Sequence, residues 1–407
     1  MRYDRTTLAN GLEIVGEYND EALSMACGFF CRTGARDETL PESGVSHFLE
    51  HMMFKGTERL SYDDINKTFD AIGARYNAFT SEENTVYFGQ VLPEYQERLL
   101  GLLAEMMRPA LRGSDFEMEK NVILEEIAMY ADQPLWVAHD HCRELHYGSH
   151  GLGQRVLGTN ESIKALTRDQ MADYFDRRYA SDNLTLAFSG KYDWDAAVAQ
   201  AEAACRGWQP SGAERDLSPV QTGAGSTTLR YDKFQQVNVY LMAPGLSAQD
   251  SRRLTANVVA AAIGSGDASR LHWALVDPGL AESAGLYHDE EDHNGTFSGV
   301  IVCQPDGVDR AVEVYRAELD RVQREGLSAD ELKRAQRRFG SAAVFGAESP
   351  LNRLVSVGMD FVYRGRITPI DEWLERLRAV TVDDCNALLS TRPFDQLAMV
   401  QVGRVGE

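Results

Sequence analysis

The segment His47-Phe48-Leu49-Glu50-His51 has the residue types and the spacing of a hydrolytic metal site. At about 100° per residue in a helix, positions i, i+3 and i+4 share one face, so the side chains of His47, Glu50 and His51 project together. Two imidazoles one turn apart can bind one Zn²⁺, and the carboxylate between them can take a proton from a water molecule on the metal. The spacing predicts His47 and His51 as zinc ligands and Glu50 as the general base.

The remaining histidines do not extend this pattern. Of the nine in the chain, four form a looser cluster: His139, His141, His146 and His150. Their spacing fits neither one helix face nor a known ligand set. We interpret these four as structural or exposed residues.

The elements around the motif can be predicted from periodicity. Residues 45–54 are dense in good helix formers and predict a buried helix, after strands at 12–17 and 24–32. A helix at 62–72 follows, and then two β-rich runs at 75–80 and 85–91 that predict a hairpin. Further helices are predicted at 94–107, 115–130 and 168–179, with a strand at 184–189. This half of the chain is predicted to be α+β.

The second half repeats this order of elements. Residues 209–226 are rich in Gly, Pro, Ser and Thr, which predicts a linker between a first domain at 1–208 and a second at 227–407. A strand at 236–242, a helix at 252–263 and a strand at 296–303 follow. The helix of this copy reads Thr255-Ala256-Asn257-Val258-Val259-Ala260, which offers no metal ligand. We therefore expect two homologous domains and one Zn²⁺ per chain.

Composition narrows the possible partners. The chain has 407 residues, a net charge of −21 and 43% hydrophobic residues, as in a globular protein with full cores. An acidic surface repels nucleic acid and anionic membranes, so we expect neither as a partner. Six cysteines without CxxC pairs indicate buried or free thiols, and the amino terminus lacks the pattern of a secretion signal. These features predict a cytoplasmic protein.

The motif and its surroundings resemble one peptidase family. His-x-x-Glu-His is the inverzincin signature, and here Gly34-Ala35-Arg36-Asp37-Glu38 precedes it and Lys55-Gly56-Thr57 follows it. This is similar to the pitrilysin family of zinc metallopeptidases, in its processing-peptidase-like branch. The resemblance implies a clamshell half, in which each domain is a mainly antiparallel sheet packed with helices.

The resemblance also implies a third zinc ligand. The family places it on a glutamate about 75 residues downstream, in a helix that carries another glutamate seven residues earlier. Glu126 matches the ligand and Glu119 the supporting residue. Positions i and i+7 share a helix face, so Glu119 could support the site from behind. Two alternatives stay open, namely Glu125 as the ligand and Glu119 as an ordinary helix charge.

Family members bind the substrate as an added strand beside the zinc. The segment Tyr76-Asn77-Ala78-Phe79-Thr80 resembles that edge strand, which implies substrate contacts at Asn77, Ala78 and Phe79. Backbone hydrogen bonds supply much of the affinity in this binding mode, so many sequences are tolerated. Phe79 could equally be an ordinary sheet residue.

One family feature is missing. The family has an arginine and a tyrosine in its carboxy-terminal half that help to hold the substrate carbonyl. Here the stretch opens as Ser269-Arg270-Leu271, but Val276 and Glu282 stand about where that pair is expected. Neither side chain can supply a cation or a phenol donor. This implies a heterodimer in which a homologous subunit supplies the pair, with a homodimer as the alternative.

The sequence thus predicts a zinc-dependent endopeptidase subunit that hydrolyses peptides or extended protein segments. Three other possibilities stay open: a self-sufficient homodimeric peptidase, a non-catalytic assembly or core-type subunit, and a metal-dependent hydrolase of other substrates. The complete metal motif argues against a non-catalytic subunit, and the edge-strand segment favours peptides.

Overall fold

The computed structural model describes residues 1–404, which form two compact units. The first unit consists of Met1–Ile127, Gln154–Asp216 and Phe345–Thr368. The second consists of Ala128–Gly153, Leu217–Val344 and the chain from Pro369 onward. Within residues 1–404 no helix combines the length and apolar character that crossing a membrane requires. All six cysteines are buried free thiols, as the sequence predicts.

The first unit is built on a six-stranded sheet. Its strands are β1 (Arg2–Thr7), β2 (Glu13–Tyr18), β3 (Met25–Cys31), β4 (Arg75–Thr80), β5 (Thr85–Val91) and β6 (Leu184–Gly190). Their order is β1-β2-β6-β3-β5-β4, with β2 and β6 parallel and the other neighbours antiparallel. Every residue of β3 and β6 is buried, because packed elements cover both faces of the sheet centre.

The second unit is built on a five-stranded sheet. Its strands are β7 (Gly225–Arg230), β8 (Val237–Pro244), β9 (Ser283–Glu291), β10 (Asn294–Cys303) and β11 (Ala398–Gly403). The order β7-β11-β8-β10-β9 and its single parallel pair, β7 with β11, repeat the arrangement of β2 to β6. The predicted fold class, α+β with two homologous domains and mainly antiparallel sheets, is confirmed.

Most of the helices lie in the connections between these strands. They are α1 (Val45–Met53), α2 (Tyr62–Ala71), α3 (Gln96–Met106), α4 (Gly113–Tyr130), α5 (Pro134–Tyr147), α6 (Asn160–Ala165), α7 (Arg168–Arg178), α8 (Trp194–Cys205), α9 (Arg253–Gly264), α10 (Val308–Glu325), α11 (Ala329–Ala347), α12 (Pro350–Arg364), α13 (Ile370–Ala379) and α14 (Val382–Ser390). The predicted helix that carries the metal motif is α1, and the predicted hairpin is β4 with β5.

Two helices do not follow the predicted division into residues 1–208 and 227–407. Helix α5 packs on β8 and β11 in the second unit, where Ala138 and Cys142 join a buried cluster with Val400. Helix α12 packs on β2, β3 and β6 in the first unit, where Leu354 and Phe30 are buried together. Each sheet needs an apolar cover on its second face, and a helix from the other half of the sequence supplies it.

The predicted linker at 209–226 is also only partly a linker. The chain passes from the first unit to the second between Asp216 and Leu217. The buried guanidinium of Arg215 pairs with Asp37, at 2.8 Å between Nη2 and Oδ2, and donates to the Glu83 carbonyl. These bonds fix the first part of the segment to the first unit, and its last two residues already belong to β7.

Candidate metal centre

The start of helix α1 is hydrogen-bonded to a buried carboxylate. Gly44 is its N-cap residue, with φ +91°, a left-handed conformation that favours glycine. The buried Glu38 carboxylate accepts hydrogen bonds from the Gly44 and Ser46 N–H groups, at 2.7 and 2.8 Å. Burial raises the Glu38 pKa to about 7, although these bonds act to lower it. Glu38 therefore accepts hydrogen bonds from backbone N–H groups that would otherwise be free at the start of the helix. This role was not predicted from the sequence.

Aromatic packing brings α1 to α4. Phe48 lies on the buried face of α1 and stacks on Phe116 of α4, with ring centroids 4.7 Å apart and planes 14° apart. Leu49 and Met52 join the same core. The opposite side of α1 carries the largely buried imidazoles of His47 and His51, so this contact fixes where they lie relative to the acidic residues of α4.

Three candidate ligands converge between these helices. Among residues 1–404, His47, His51 and Glu126 form the one group of three ligand side chains, with donor atoms all within 4.8 Å of one another. Glu126 Oε2 lies 3.8 Å from His47 Nε2 and 3.6 Å from His51 Nε2. Glu125, the alternative ligand, is exposed and outside this group.

The donor set fits a zinc ion. Ligand atoms about 2.1 Å from a tetrahedral Zn²⁺ lie roughly 3.4 Å apart, close to the observed separations. Burial lowers the pKa of His47 to about 3 and also lowers that of His51. Both imidazoles are therefore neutral at pH 7, which is the form that binds metal. Burial raises the Glu126 pKa, and a cation bound beside the carboxylate would counter this by favouring the charged form.

Glu50 lies on the same face of α1, and a residue of the sheet donates a hydrogen bond to its carboxylate. Thr80, the last residue of β4, donates a hydrogen bond of 2.6 Å from Oγ1 to Glu50 Oε2. Burial raises the Glu50 pKa to about 7, the Thr80 bond acts to lower it, and the Glu126 charge raises it further. This role of Thr80 was not predicted from the sequence. Strand alternation was the available signal, because Thr80 and Ala78 share the face of β4 that packs on α1.

Replacing Thr80 with valine is expected to lower peptide cleavage by a factor of about ten, because a charge-assisted hydrogen bond to the general base is lost. The measurement is kcat/KM together with zinc content. Thr80→Ser is the matched control, since it keeps the hydroxyl and should restore most of the activity. Equal activity in Thr80→Val and the wild type would contradict a positioning role.

Glu119 lies behind His51 and also holds a lysine. Its buried Oε2 is 4.0 Å from His51 Nδ1, which is too long for a hydrogen bond, and 2.7 Å from Lys55 Nζ. The structure therefore places Glu119 beside the site that the family resemblance implies. Its direct partner is Lys55, four residues after His51, for which the sequence predicted no role. The carboxylate offsets the lysine charge next to the metal position.

Glu119→Gln is expected to weaken zinc binding by roughly 10- to 100-fold, as changes outside the ligand shell commonly do. The physical reason is that the Lys55 cation loses its counter-charge beside the metal. Competition with a chromophoric chelator measures the zinc affinity. Glu117→Gln changes an exposed carboxylate on the same helix and should leave the affinity unaltered. A similar loss in both variants would point to a general charge effect.

The candidate substrate strand is at the sheet edge. β4 is the last strand of its sheet, and the exposed Asn77 accepts the Ala78 N–H through Oδ1 at 2.9 Å. That N–H therefore faces the open edge rather than β5. Phe79 points to the other face and packs near Phe88, with centroids 6.2 Å apart. The Phe79 side chain is thus a partly buried sheet residue packed against the core, which is the alternative that the sequence left open.

In the second unit, Val276 and Glu282 stand about where the family resemblance leads us to expect an arginine and a tyrosine. Val276 ends a short π-helical turn, and the exposed Glu282 accepts a hydrogen bond from Gln236. The nearby Arg270 is engaged with Glu331, at 2.6 Å between Nε and Oε1. None of these side chains is a free cation or a phenol.

The four outlying histidines remain outside the metal group. His146 is fully buried, His139 lies 3.2 Å from Asp140, and His141 lies 3.0 Å from Glu144. The interpretation of this set as structural or exposed agrees with these positions.

Comparison with known proteins links most of the chain to one group of peptidases. The family model described as Insulinase (Peptidase family M16) matches residues 13–160, and the model described as Peptidase M16 inactive domain matches residues 165–339. An uncharacterized zinc protease of Streptomyces coelicolor is 34% identical, over 94% of this chain and 86% of the relative. One of Bacillus subtilis is 30% identical, over 94% of each.

Solved structures show the same fold. A protease from Helicobacter pylori matches with a TM-score of 0.90 and 19% identity, over 99% of both chains. A peptidase M16 inactive domain structure from Pseudomonas fluorescens matches with a TM-score of 0.91 and 18% identity, over 100% of this chain and 98% of that one. The description of the carboxy-terminal match as inactive agrees with the lack of metal ligands on α9.

Proposed function

Because this chain belongs to peptidase family M16, we propose that it is the zinc-binding subunit of a metalloendopeptidase that hydrolyses peptides or extended protein segments. The observation that carries the proposal is the convergence of His47, His51 and Glu126 on one face, with Glu50 beside them. Relatives of this chain are named zinc proteases, which agrees with one Zn²⁺ bound by these three residues.

The residues of the chain divide the reaction between them. His47, His51 and Glu126 hold the metal, which when bound makes a water molecule more acidic and polarises the substrate carbonyl. Glu50 removes the proton from the attacking water and later delivers a proton to the leaving amine. Thr80 fixes the orientation of the Glu50 carboxylate. Glu119 balances the charge of Lys55 beside the ligands.

The substrate peptide would bind as an additional strand paired with the edge strand β4. The Ala78 N–H faces the open edge and is held by the Asn77 side chain, so a peptide backbone carbonyl could take the place of Asn77 Oδ1. β4 also carries Thr80, which bonds Glu50. A peptide on this edge would therefore run next to the general base. Such backbone pairing requires an extended substrate, which favours peptides over folded proteins.

The substrate site would be completed by a homologous subunit. Val276 and Glu282 cannot provide the cation and phenol that family resemblance leads us to expect, so a partner is proposed to supply an arginine and a tyrosine. A homodimer would lack this pair. The same fold occurs in a chain of complex III2 from Candida albicans, with a TM-score of 0.86, so a non-catalytic subunit is the second candidate.

The test is to purify the chain alone and together with a homologous subunit encoded beside it. Zinc content and cleavage of an unstructured peptide mixture are measured for both samples. Bound zinc with cleavage only in the pair supports the proposal. Full activity of the chain alone would reject the partner requirement and favour the homodimer. Zinc without cleavage in either sample would favour the non-catalytic subunit or a hydrolase of other substrates.

A further inference from the structure

The second unit contains a cavity next to α9 and α11. In the repeated order of elements, these helices correspond to the ligand-bearing helices α1 and α4 of the first unit. In the first unit the order is β3, α1, α2, β4, β5, α3, α4, and the helices α1 and α4 carry the metal ligands. The second unit has the order β8, α9, β9, β10, α10, α11, in which a short π-helical turn replaces α2. A cavity of about 400 Å³ is lined by α9, α11 and the segment between α9 and β9. This volume suits a small ligand.

The charge of this cavity is opposite to that of the metal site. Arg334, Arg337 and Arg338 line it from α11 at positions i, i+3 and i+4, which share one helix face. Within residues 1–404 the guanidinium groups of these three arginines have no ion-pair or hydrogen-bond partner. All three side chains are exposed, so a dissolved anion can reach them. Their planar donor forks fit oxyanions.

The acidic residue of the lining does not neutralise these arginines. Glu331 is bonded to Arg270 through both oxygens, at 2.6 and 3.1 Å, and accepts the Ser328 N–H at 2.8 Å. Burial alone would raise its pKa, but the bonds from Arg270 and Ser328 lower it to about 2. Glu331 is therefore ionised and already engaged, so the cavity keeps its positive charge.

The floor of the cavity is shaped by small residues. Ala261, Ala262 and Ala335 present only methyl groups, and the Ser265 and Ser341 hydroxyls are further donors in the lining. Gly266 has φ +78°, and a Cβ at this position would coincide with the Arg338 guanidinium. The glycine thus leaves the space that Arg338 needs to lie over the α9 end of the cavity.

From this arrangement we propose that the cavity between α9 and α11 binds a small oxyanion, a phosphate or a carboxylate group, through Arg334, Arg337 and Arg338. The repeat would then hold a cation site in one unit and an anion site in the corresponding place of the other. The proposal concerns the second unit only and does not depend on peptidase activity.

The test is titration calorimetry of the full zinc-loaded chain with inorganic phosphate and, separately, with succinate, at constant ionic strength maintained with chloride. One anion is expected to bind per chain, and the probe that binds more tightly identifies the phosphate or the carboxylate source. Arg338→Gln should weaken binding by roughly 10- to 100-fold, because charge-assisted hydrogen bonds are lost. Lys333→Gln removes one positive charge from the same helix outside the cavity lining and should change affinity less than about twofold.

Three results would overturn the proposal. The first is no saturable binding of either probe to the wild type. The second is an equal loss in Arg338→Gln and Lys333→Gln, which would indicate a diffuse surface charge effect. The third is unchanged binding in Arg338→Gln, which would place the bound anion away from Arg338, for example at the zinc held by His47, His51 and Glu126. Thermal unfolding of each variant, measured alongside, verifies that the chain is folded.

Discussion

Glu50→Gln is expected to lower kcat/KM for peptide cleavage by about 100- to 10,000-fold while the chain keeps its zinc. Glutamine has nearly the same shape as glutamate and can still accept the Thr80 hydrogen bond, so the fold and the ligands are preserved. It cannot accept a proton at neutral pH, and the attacking water loses its base. The measurement combines peptide cleavage by the complete enzyme with zinc content determined by mass spectrometry.

The control for this variant is Glu58→Gln. Glu58 is an exposed carboxylate shortly after α1, so its loss changes the net charge equally without touching the site. Activity should stay within about twofold of the wild type. If Glu50→Gln retained wild-type activity, the assignment of the general base would be wrong, whereas loss of zinc in this variant would show that Glu50 helps to hold the metal.

Glu126→Gln is expected to weaken zinc binding by more than the roughly 10- to 100-fold typical of residues outside the ligand shell, and to abolish cleavage at limiting zinc. The amide removes the one anionic ligand, so the ion would be held by two neutral imidazoles. Zinc affinity from chelator competition and the recovery of activity with added zinc are the measurements.

The neighbouring Glu125 provides the matched control. Its carboxylate is exposed on α4, outside the ligand group, so Glu125→Gln makes the same chemical change one residue away. Zinc affinity is expected to be unchanged. The reverse outcome, with loss of zinc in Glu125→Gln and not in Glu126→Gln, would move the third ligand to Glu125 and imply a rotation of α4.

The local part of the site could be predicted from the sequence. Helix periodicity alone places His47, Glu50 and His51 on one face of α1, because neighbouring turns of a helix have fixed geometry. The resemblance to the pitrilysin family, which the family models confirm, adds Glu126. Strand alternation and turn residues were enough to predict the β4–β5 hairpin and the repeat of elements in the second half.

The contacts of the site between residues far apart in the sequence could be identified only from the tertiary structure. The stacking of Phe48 on Phe116 decides that Glu126, and not Glu125, reaches the histidines. Thr80 reaches Glu50 across thirty positions of sequence, and Lys55 reaches Glu119 across sixty-four. No local propensity encodes such distances, since they depend on how whole elements pack.

The same distinction applies to the chain as a whole. Residue types, periodicity and spacing are local properties, and they were enough to predict the metal-binding motif, the α+β class and a single metal-bearing repeat. That α5 covers the sheet of the second unit and α12 that of the first could be seen only in the folded chain. The helix spacing puts Arg334, Arg337 and Arg338 on one face of α11, but the packing of α11 near α9 creates the cavity that they line. These packing contacts join elements that are far apart in the sequence, so local patterns do not predict them.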